Sequence, residues 1–170
     1  EIDGLARLLR LETPLNGQTL GNRKHVDAVI EYLQSNKSLI SWINPDTDKD
    51  DLVVARKKVV DHARQLHEAA RSSDPQSALN KRQELQLLCA HREGKTGVSN
   101  WNGFVERELG VYTEARWYFG RPVMVTRNNR SVDLYNGDVG IIVPDADGQP
   151  VGAFGDGGTF RLVPTMRLED

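Results

Sequence analysis

The sequence lacks most of the features that mark secreted, membrane and metal-binding proteins. Its 170 residues include one cysteine, Cys89, which excludes a disulfide framework. The longest apolar runs, such as VGIIV at residues 139–143, are far shorter than the roughly 18 residues of a membrane-spanning helix. The four histidines have no spacing to cysteines or carboxylates that suits a metal ion. We therefore expect a soluble cytoplasmic protein with no metal site and no membrane partner.

The chain also lacks a strong charge of either sign. It has 24 acidic and 22 basic residues, which gives a net charge of −2. Long-range attraction of the whole molecule to nucleic acid is therefore absent, and any such contact must come from a local basic patch. Because the sequence starts at Glu1 without methionine and stops at MRLED, we expect it to be a piece of a larger protein.

The first half of the sequence has the periodicity of helices. Apolar residues spaced three and four apart predict amphipathic helices over residues 2–9, 23–35 and 49–71. The stretch SSDPQSALNKRQ supplies an N-cap residue and a proline, and it predicts another short helix. Between these elements, SLISWI at residues 38–43 predicts a short strand.

From residue 84 the pattern changes. ELQLLCA at residues 84–90 predicts a buried strand of the parallel kind, and residues 98–109 predict a helix, so the pair resembles half of a βαβ unit. After Gly120, four short β-rich runs separated by turn signals predict a small antiparallel barrel or meander. The fold class that we expect is therefore mixed, α+β or α/β. The expected core of the barrel contains Tyr135, Phe154 and Phe160.

Between the predicted strand and helix, residues 94–96 read Gly-Lys-Thr, as at the end of a phosphate-binding P-loop. A P-loop needs an earlier glycine so that successive backbone amides can face the phosphates. Cys89 occupies that position, and the negatively charged Glu93 lies in the intervening stretch. The sequence favours a strand-to-helix loop over a P-loop.

Two stretches carry a resemblance to a known family. They are LLCAHREGKTGVSNWNGFVE and WYFGRPVMVTRNNRSVDLYNGDVGIIVPD. From about Leu85 to Leu168 the chain resembles the RecD family, superfamily 1B DNA helicases of the exonuclease V complex. Residues 1–83 resemble the helical linker region and the start of the second motor domain, although ETPLNGQTLGN departs from the family pattern. The resemblance implies a partial RecA-like domain at 84–120, and at 121–168 a motor-domain strand leading into an SH3-like barrel insert.

The resemblance implies an ATP-dependent 5′-to-3′ helicase acting in double-strand-break repair. In that family the P-loop and the Mg²⁺-binding residues lie in another domain, so ATP and Mg²⁺ belong to the parent protein and are not expected to bind this fragment tightly. The implied partners are single-stranded DNA and the RecB and RecC subunits. Arg92, after the predicted strand, could reach an ATP phosphate held by the other motor domain. The residues alone favour the other interpretation, a surface arginine paired with Glu93 or Glu106.

The segment from Thr113 to Ser131 has an excess of arginine over acid. Phosphate-backbone contacts use such side chains. Composition alone favours a solvated surface, and the resemblance raises DNA binding to an equal alternative. The predicted DNA contacts are Arg121, Thr126, Arg127, Asn128 and Arg130. The sequence YNGD that follows predicts a structural type I′ turn, in which Asn136 and Gly137 have positive φ and Asp138 accepts backbone hydrogen bonds; Gly140 is assigned to a tight corner.

Two other functions remain open at this stage. One is an SH3-like protein-interaction module without motor activity. The other is a stand-alone P-loop kinase. Binding to single-stranded DNA that weakens with salt would separate the helicase fragment from the interaction module.

Overall fold

The computed structural model describes residues 5–6, 9, 23–35, 39–72, 74–111, 116–156 and 158–168. The chain divides into two compact units, residues 1–54 and 55–170. The described residues contain helices α1 (Arg23–Ser35), α2 (Lys49–Arg71), α3 (Pro75–Gln83) and α4 (Val98–Leu109). These bounds confirm the helices expected from the sequence at 23–35, 49–71 and 98–109, and the short helix after residue 74. No described helix combines the length and the apolarity needed to cross a membrane.

Local signals fix where two of the helices begin or end. The Asp74 side chain accepts a 3.0 Å hydrogen bond from the Gln76 amide, and Pro75 opens α3. Both features satisfy or remove amide groups that have no partner in the first helical turn. Helix α4 ends at Leu109 and is capped by Gly110, whose φ of +72° a glycine adopts without strain.

The second unit contains a four-stranded antiparallel sheet. Its strands are β1 (Pro122–Met124), β2 (Val139–Pro144), β3 (Pro150–Asp156) and β4 (Thr159–Pro164), followed by a short 3₁₀ helix, Thr165–Arg167. The strand order is β1-β2-β3-β4, so the predicted meander is confirmed. Among the described residues β1 and β4 do not pair with each other, and the sheet is open rather than closed into a barrel. The fold class is mixed α+β.

Helices α2 and α3 cover one face of this sheet. The core there combines residues of α2 and α3 with residues of β2 and β3, namely Leu66, Ala70, Ala78, Leu79, Ile141, Val143, Val151 and Ala153. Since strand side chains alternate between the two faces, Ile141 and Val143 both point towards the helices. The helices of the second unit therefore hold β2 and β3 in place.

A second apolar cluster lies on the opposite face, around Phe154. Phe154, Leu134 and Val163 are buried, with four partly buried neighbours. A Cβ atom added at Gly140 or Gly152 would lie 2.7 Å from the Phe154 ring. The two glycines lie within strands and leave space for the ring, so Gly140 does not form the tight corner expected from the sequence. The predicted core positions of Tyr135 and Phe160 are also wrong, because their side chains are 48% and 41% exposed.

The two remaining strand predictions are wrong. Residues 85–89 contain no strand, and Leu88 is 80% exposed. Residues 39–43 likewise contain no strand, and Leu39 is 69% exposed. Both stretches have the composition of strands, but a strand is stabilised by pairing, and neither stretch belongs to the described sheet. The strand-loop-helix unit expected at 84–109 is therefore not formed within the described residues.

Candidate nucleic-acid interface

Four of the five residues predicted to bind DNA line a groove beside β1, namely Arg121, Thr126, Arg127 and Asn128. The groove has a volume of about 570 Å³, and we call it the arginine groove. Four arginines line it, and no carboxylate is among the described residues that do so. The four are Arg116, Arg121, Arg127 and Arg167. A local excess of positive charge therefore exists on a chain whose net charge is −2.

Two of these arginines are engaged with the protein itself. Arg121 donates to the Arg116 carbonyl oxygen, lies 4.0 Å from a Glu106 carboxylate oxygen and has its guanidinium 5.6 Å from the Tyr118 ring centroid. Arg116 places its guanidinium 5.0 Å from the ring centroid of Trp117. These contacts hold both side chains at the wall of the groove.

The other two arginines have no such partner. Within the described part of the chain, the side chains of Arg127 and Arg167 make no hydrogen bond or ion pair. Both residues are exposed. Each therefore offers a full set of guanidinium donors to an anion, which is the geometry that suits phosphate oxygens. Arg167 comes from the 3₁₀ helix after β4 and was not identified from the sequence.

Asparagines hold the loop that carries Arg127. The Asn128 side-chain oxygen accepts a 2.8 Å hydrogen bond from the Asn136 amide. Asn129 donates from its side-chain nitrogen to the Arg167 carbonyl oxygen at 3.4 Å, and so connects the loop to the 3₁₀ helix. Thr126, exposed at the groove, makes no side-chain hydrogen bond to the described residues. The structure brings Arg121, Thr126, Arg127 and Asn128 together, as the sequence predicts.

The turn next to this loop differs in type from the prediction. Asp138 donates its amide to the Tyr135 carbonyl oxygen at 2.9 Å, and positive φ occurs at Gly137 but not at Asn136. Positive φ at the third turn residue alone is the pattern of a type II turn, so the type I′ assignment is wrong. Within this turn the Asp138 carboxylate accepts a 2.8 Å hydrogen bond from the Tyr135 amide. Gly140 lies within β2.

Arg130 and Arg92 lie away from the arginine groove. Arg130 is exposed on the turn that follows Asn129, and it is not a lining residue. Arg92 is exposed in the loop before α4, and the strand that was expected to place it at a sheet edge is absent. Its expected partners are also engaged elsewhere, since Glu93 accepts from the Ser99 hydroxyl and Glu106 lies near Arg121.

The Gly-Lys-Thr loop has its own internal bonds. The amides of Val98 and Ser99, at the start of α4, donate to the carbonyl oxygens of His91 and Arg92 at 3.1 and 2.9 Å. The Glu93 carboxylate accepts from the Ser99 hydroxyl at 2.8 Å, and so adds negative charge at the helix N-terminus. A phosphate cradle needs amides without partners and no competing anion. In this loop the amides of Val98 and Ser99 already have partners, and the Glu93 carboxylate is a competing anion.

A second cavity, of about 500 Å³, has mainly apolar walls. Residues 85–87, α2, α4 and the β1–β2 edge all contribute to it. Burial, with a smaller contribution from the Glu106 charge, raises the pKa of Tyr118 at its wall to about 12. Trp101 lines the same cavity and packs edge-on against Phe104, with a centroid separation of 5.9 Å. The four arginines of the groove are not among the described residues of this wall.

The chain is similar to subunits of the RecBCD enzyme. It is 40% identical over 148 residues to the RecBCD enzyme subunit RecD of Mycolicibacterium smegmatis, and 37% identical over 148 residues to that of Mycobacterium tuberculosis. Each match covers 85% of this chain. A match of 148 residues is longer than the segment 85–170, so the similarity extends into the helical first half. The Haemophilus influenzae RecD subunit is 36% identical over 63 residues, 34% of the chain. No protein-family model matches the chain.

The matches also define how much of the relatives the chain represents. It spans about a quarter of the mycobacterial subunits, 25% in each case, and 10% of the Haemophilus influenzae subunit. Over 85% of its length the chain is thus a homologue of one quarter of proteins named RecBCD enzyme subunit RecD.

Proposed function

We propose that the chain is part of an ATP-dependent DNA helicase subunit of the RecD type, and that its arginine groove holds single-stranded DNA by the phosphates. The observation that carries the proposal is the convergence of four arginines on one groove with no carboxylate among its described lining residues. The similarity to RecD subunits supports DNA as the anion. A motor that moves along any sequence needs backbone contacts that do not read base edges, and arginine, threonine and asparagine provide them.

Other features of the proposal come from the relatives. Their name, RecBCD enzyme subunit, supports RecB-like and RecC-like subunits as protein partners. Within this framework the open sheet corresponds to the small SH3-like insert, and residues 84–120 to part of a RecA-like domain that is completed by other segments of the parent protein. The parent hydrolyses ATP with Mg²⁺, and the DNA held in the groove moves as the motor domains cycle.

Phosphate contacts predict a specific dependence on salt. Affinity for a single strand falls with salt, with a log–log slope of about −0.7 for each phosphate neutralised. We expect Arg127→Ala and Arg167→Ala each to reduce the magnitude of this slope by about 0.7 and to weaken binding about five-fold at 0.1 M salt. The measurement is fluorescence anisotropy of a labelled oligothymidylate at several salt concentrations.

Arg92→Ala is the matched control for these two variants. It removes the same charge from an exposed loop that does not line the groove. We expect its slope to equal that of the unchanged chain. Equal losses in all three variants would mean that only net charge matters, and would rule out the groove as the binding site.

The chain should not bind ATP tightly, because the amides of Val98 and Ser99 already have partners and Glu93 lies beside them. We expect no ATP hydrolysis above background in a phosphate-release assay, and no change on Lys95→Ala. Activity in the unchanged chain that Lys95→Ala abolished would contradict this prediction and restore the P-loop interpretation.

Protein contact without DNA binding is the second candidate function. This function is favoured by the exposed side chains of Leu87, which lines the apolar cavity, and of its neighbour Leu88. Surfaces of this kind in folded proteins often bind other proteins. Absence of binding to single-stranded DNA at low salt would favour this function over the first.

A further inference from the structure

We infer that single-stranded DNA lies in the arginine groove with its bases turned inward, and that Trp117, paired with Arg116, is the surface on which a base stacks. This inference rests on the proposed function and adds the orientation of the strand to it. Neither residue belongs to the set of DNA contacts predicted from the sequence.

Trp117 is the aromatic residue of the groove wall. Its indole is partly exposed and lines the groove with the guanidinium of Arg116 placed 5.0 Å from the ring centroid. Indole rings and guanidinium planes are both surfaces on which nucleic-acid bases stack. The Arg116 cation also strengthens the pair through the negative face of the ring. The pair therefore offers surfaces for stacking in the same groove as the two available cations, Arg127 and Arg167.

The floor of the groove is apolar. It consists of side chains that belong to the Phe154 cluster, namely Val123, Val125, Leu134, Phe154 and Leu168. A phosphate gains nothing from such a surface, whereas the face of a base does, because its burial removes apolar area from water. The groove thus has cations at its wall and an apolar floor. This arrangement matches a strand whose phosphates face the arginines and whose bases point to the floor.

The same arrangement discriminates against duplex DNA. Bases in a duplex are already stacked and paired, so they could reach Trp117 only after local unpairing. The volume of about 570 Å³ lies within the range of small-molecule sites, and it suits a short stretch of strand rather than a double helix. Phosphate attraction would bring both forms of DNA to the groove, but only the single strand would gain from the floor.

An abasic strand tests this orientation directly. We expect the unchanged chain to bind an oligothymidylate about 5-fold to 150-fold more tightly than an abasic oligomer of equal length and charge, the range that corresponds to stacking of one base. Trp117→Ala should remove this difference by weakening the oligothymidylate complex alone. Affinity for the abasic strand should stay the same, because the arginines remain. Trp42→Ala, which replaces an exposed tryptophan outside the groove, should leave both affinities unchanged.

The outcomes separate the orientation from the proposed function. If neither strand binds at low salt, the proposed function fails together with the inference. If both strands bind with equal affinity and the salt slope depends on Arg127, the groove binds phosphates and the inward orientation is wrong. The comparison of the two strands uses the unchanged chain, so it tests the orientation even if Trp117→Ala does not fold.

Discussion

Replacing Phe154 by alanine should lower the free energy of unfolding by about 3–5 kcal/mol, the usual cost of deleting a buried aromatic side chain. Phe154 is 3% exposed and packs with Leu134 and Val163. Single domains are stable by only about 5–15 kcal/mol, so the variant would lose much of its stability. Denaturation in urea, followed by circular dichroism, measures the change through the shift of the midpoint.

A double variant tests whether the Phe154 ring packs directly against Gly152. A Cβ atom at Gly152 would meet the side chains of Phe154 and Leu168, at 2.7 and 2.9 Å, and no backbone atom is among its three nearest neighbours. Gly152→Ala should therefore destabilise the unchanged chain and cost much less in the Phe154→Ala variant. Additive effects of the two substitutions would contradict this packing, since residues in contact show coupling. Phe154→Leu is the control that keeps most of the apolar volume, and we expect it to be the milder substitution.

The Phe154 cluster links stability to function, because Phe154 is also part of the floor of the arginine groove. Two loops contribute side chains to that floor. Val125, after β1, packs against the Phe154 cluster, and Leu134, before β2, belongs to it. If the floor is lost, Arg127 and Trp117 lose the surface that holds them beside the same groove. DNA affinity of Phe154→Ala should accordingly fall even under conditions in which the variant is still folded.

The sequence predicts well the elements whose signals are local. Helices α1, α2 and α4 begin and end where the periodicity places them, and α3 starts at its proline. The β-rich runs after Gly120 all contain strands, because turn residues mark their ends. Signals of this kind depend on a few neighbouring residues and do not require knowledge of distant contacts.

The sequence predicts poorly the features that depend on partners elsewhere. ELQLLCA is apolar enough for a buried strand, yet Leu88 is 80% exposed because pairing and covering need other segments. Asn136-Gly137 favours a type I′ turn in isolation, but the bond between the Asn128 side chain and the Asn136 amide ties this turn to a loop eight residues away. The local preference is therefore overridden by tertiary contacts.

The candidate site follows the same division. Arg121, Thr126, Arg127 and Asn128 are close in sequence, on either side of β1, and all four line the groove. Arg167 lies 40 residues after Arg127 and follows β4, the edge strand opposite β1. It becomes a neighbour only because the fold brings its 3₁₀ helix to the loop that carries Asn129. The arginines that are close together in the sequence could be found from the sequence alone. Arg167, which also lines the groove, could be found only from the fold.

Gly120→Ala is expected to destabilise the second unit by about 2–4 kcal/mol, through strain at positive φ and a clash with helix α2. Gly120 has φ of +85°, and its Cβ position would lie 2.7 Å from the His67 Cα atom. The segment cannot easily move away, because the Gly120 amide donates to the Ile142 carbonyl oxygen at 2.8 Å and His67 Nδ1 lies 2.6 Å from the Phe119 carbonyl oxygen.

Gly148→Ala is the matched control. Gly148 has φ of +77°, and a Cβ atom there would meet no atom within 4 Å, so this substitution should cost only the backbone strain of about 1 kcal/mol. Urea midpoints for the two variants measure the difference. Equal midpoints would mean that α2 does not pack against residue 120, which would remove the support that positions the adjoining Arg121 at the arginine groove.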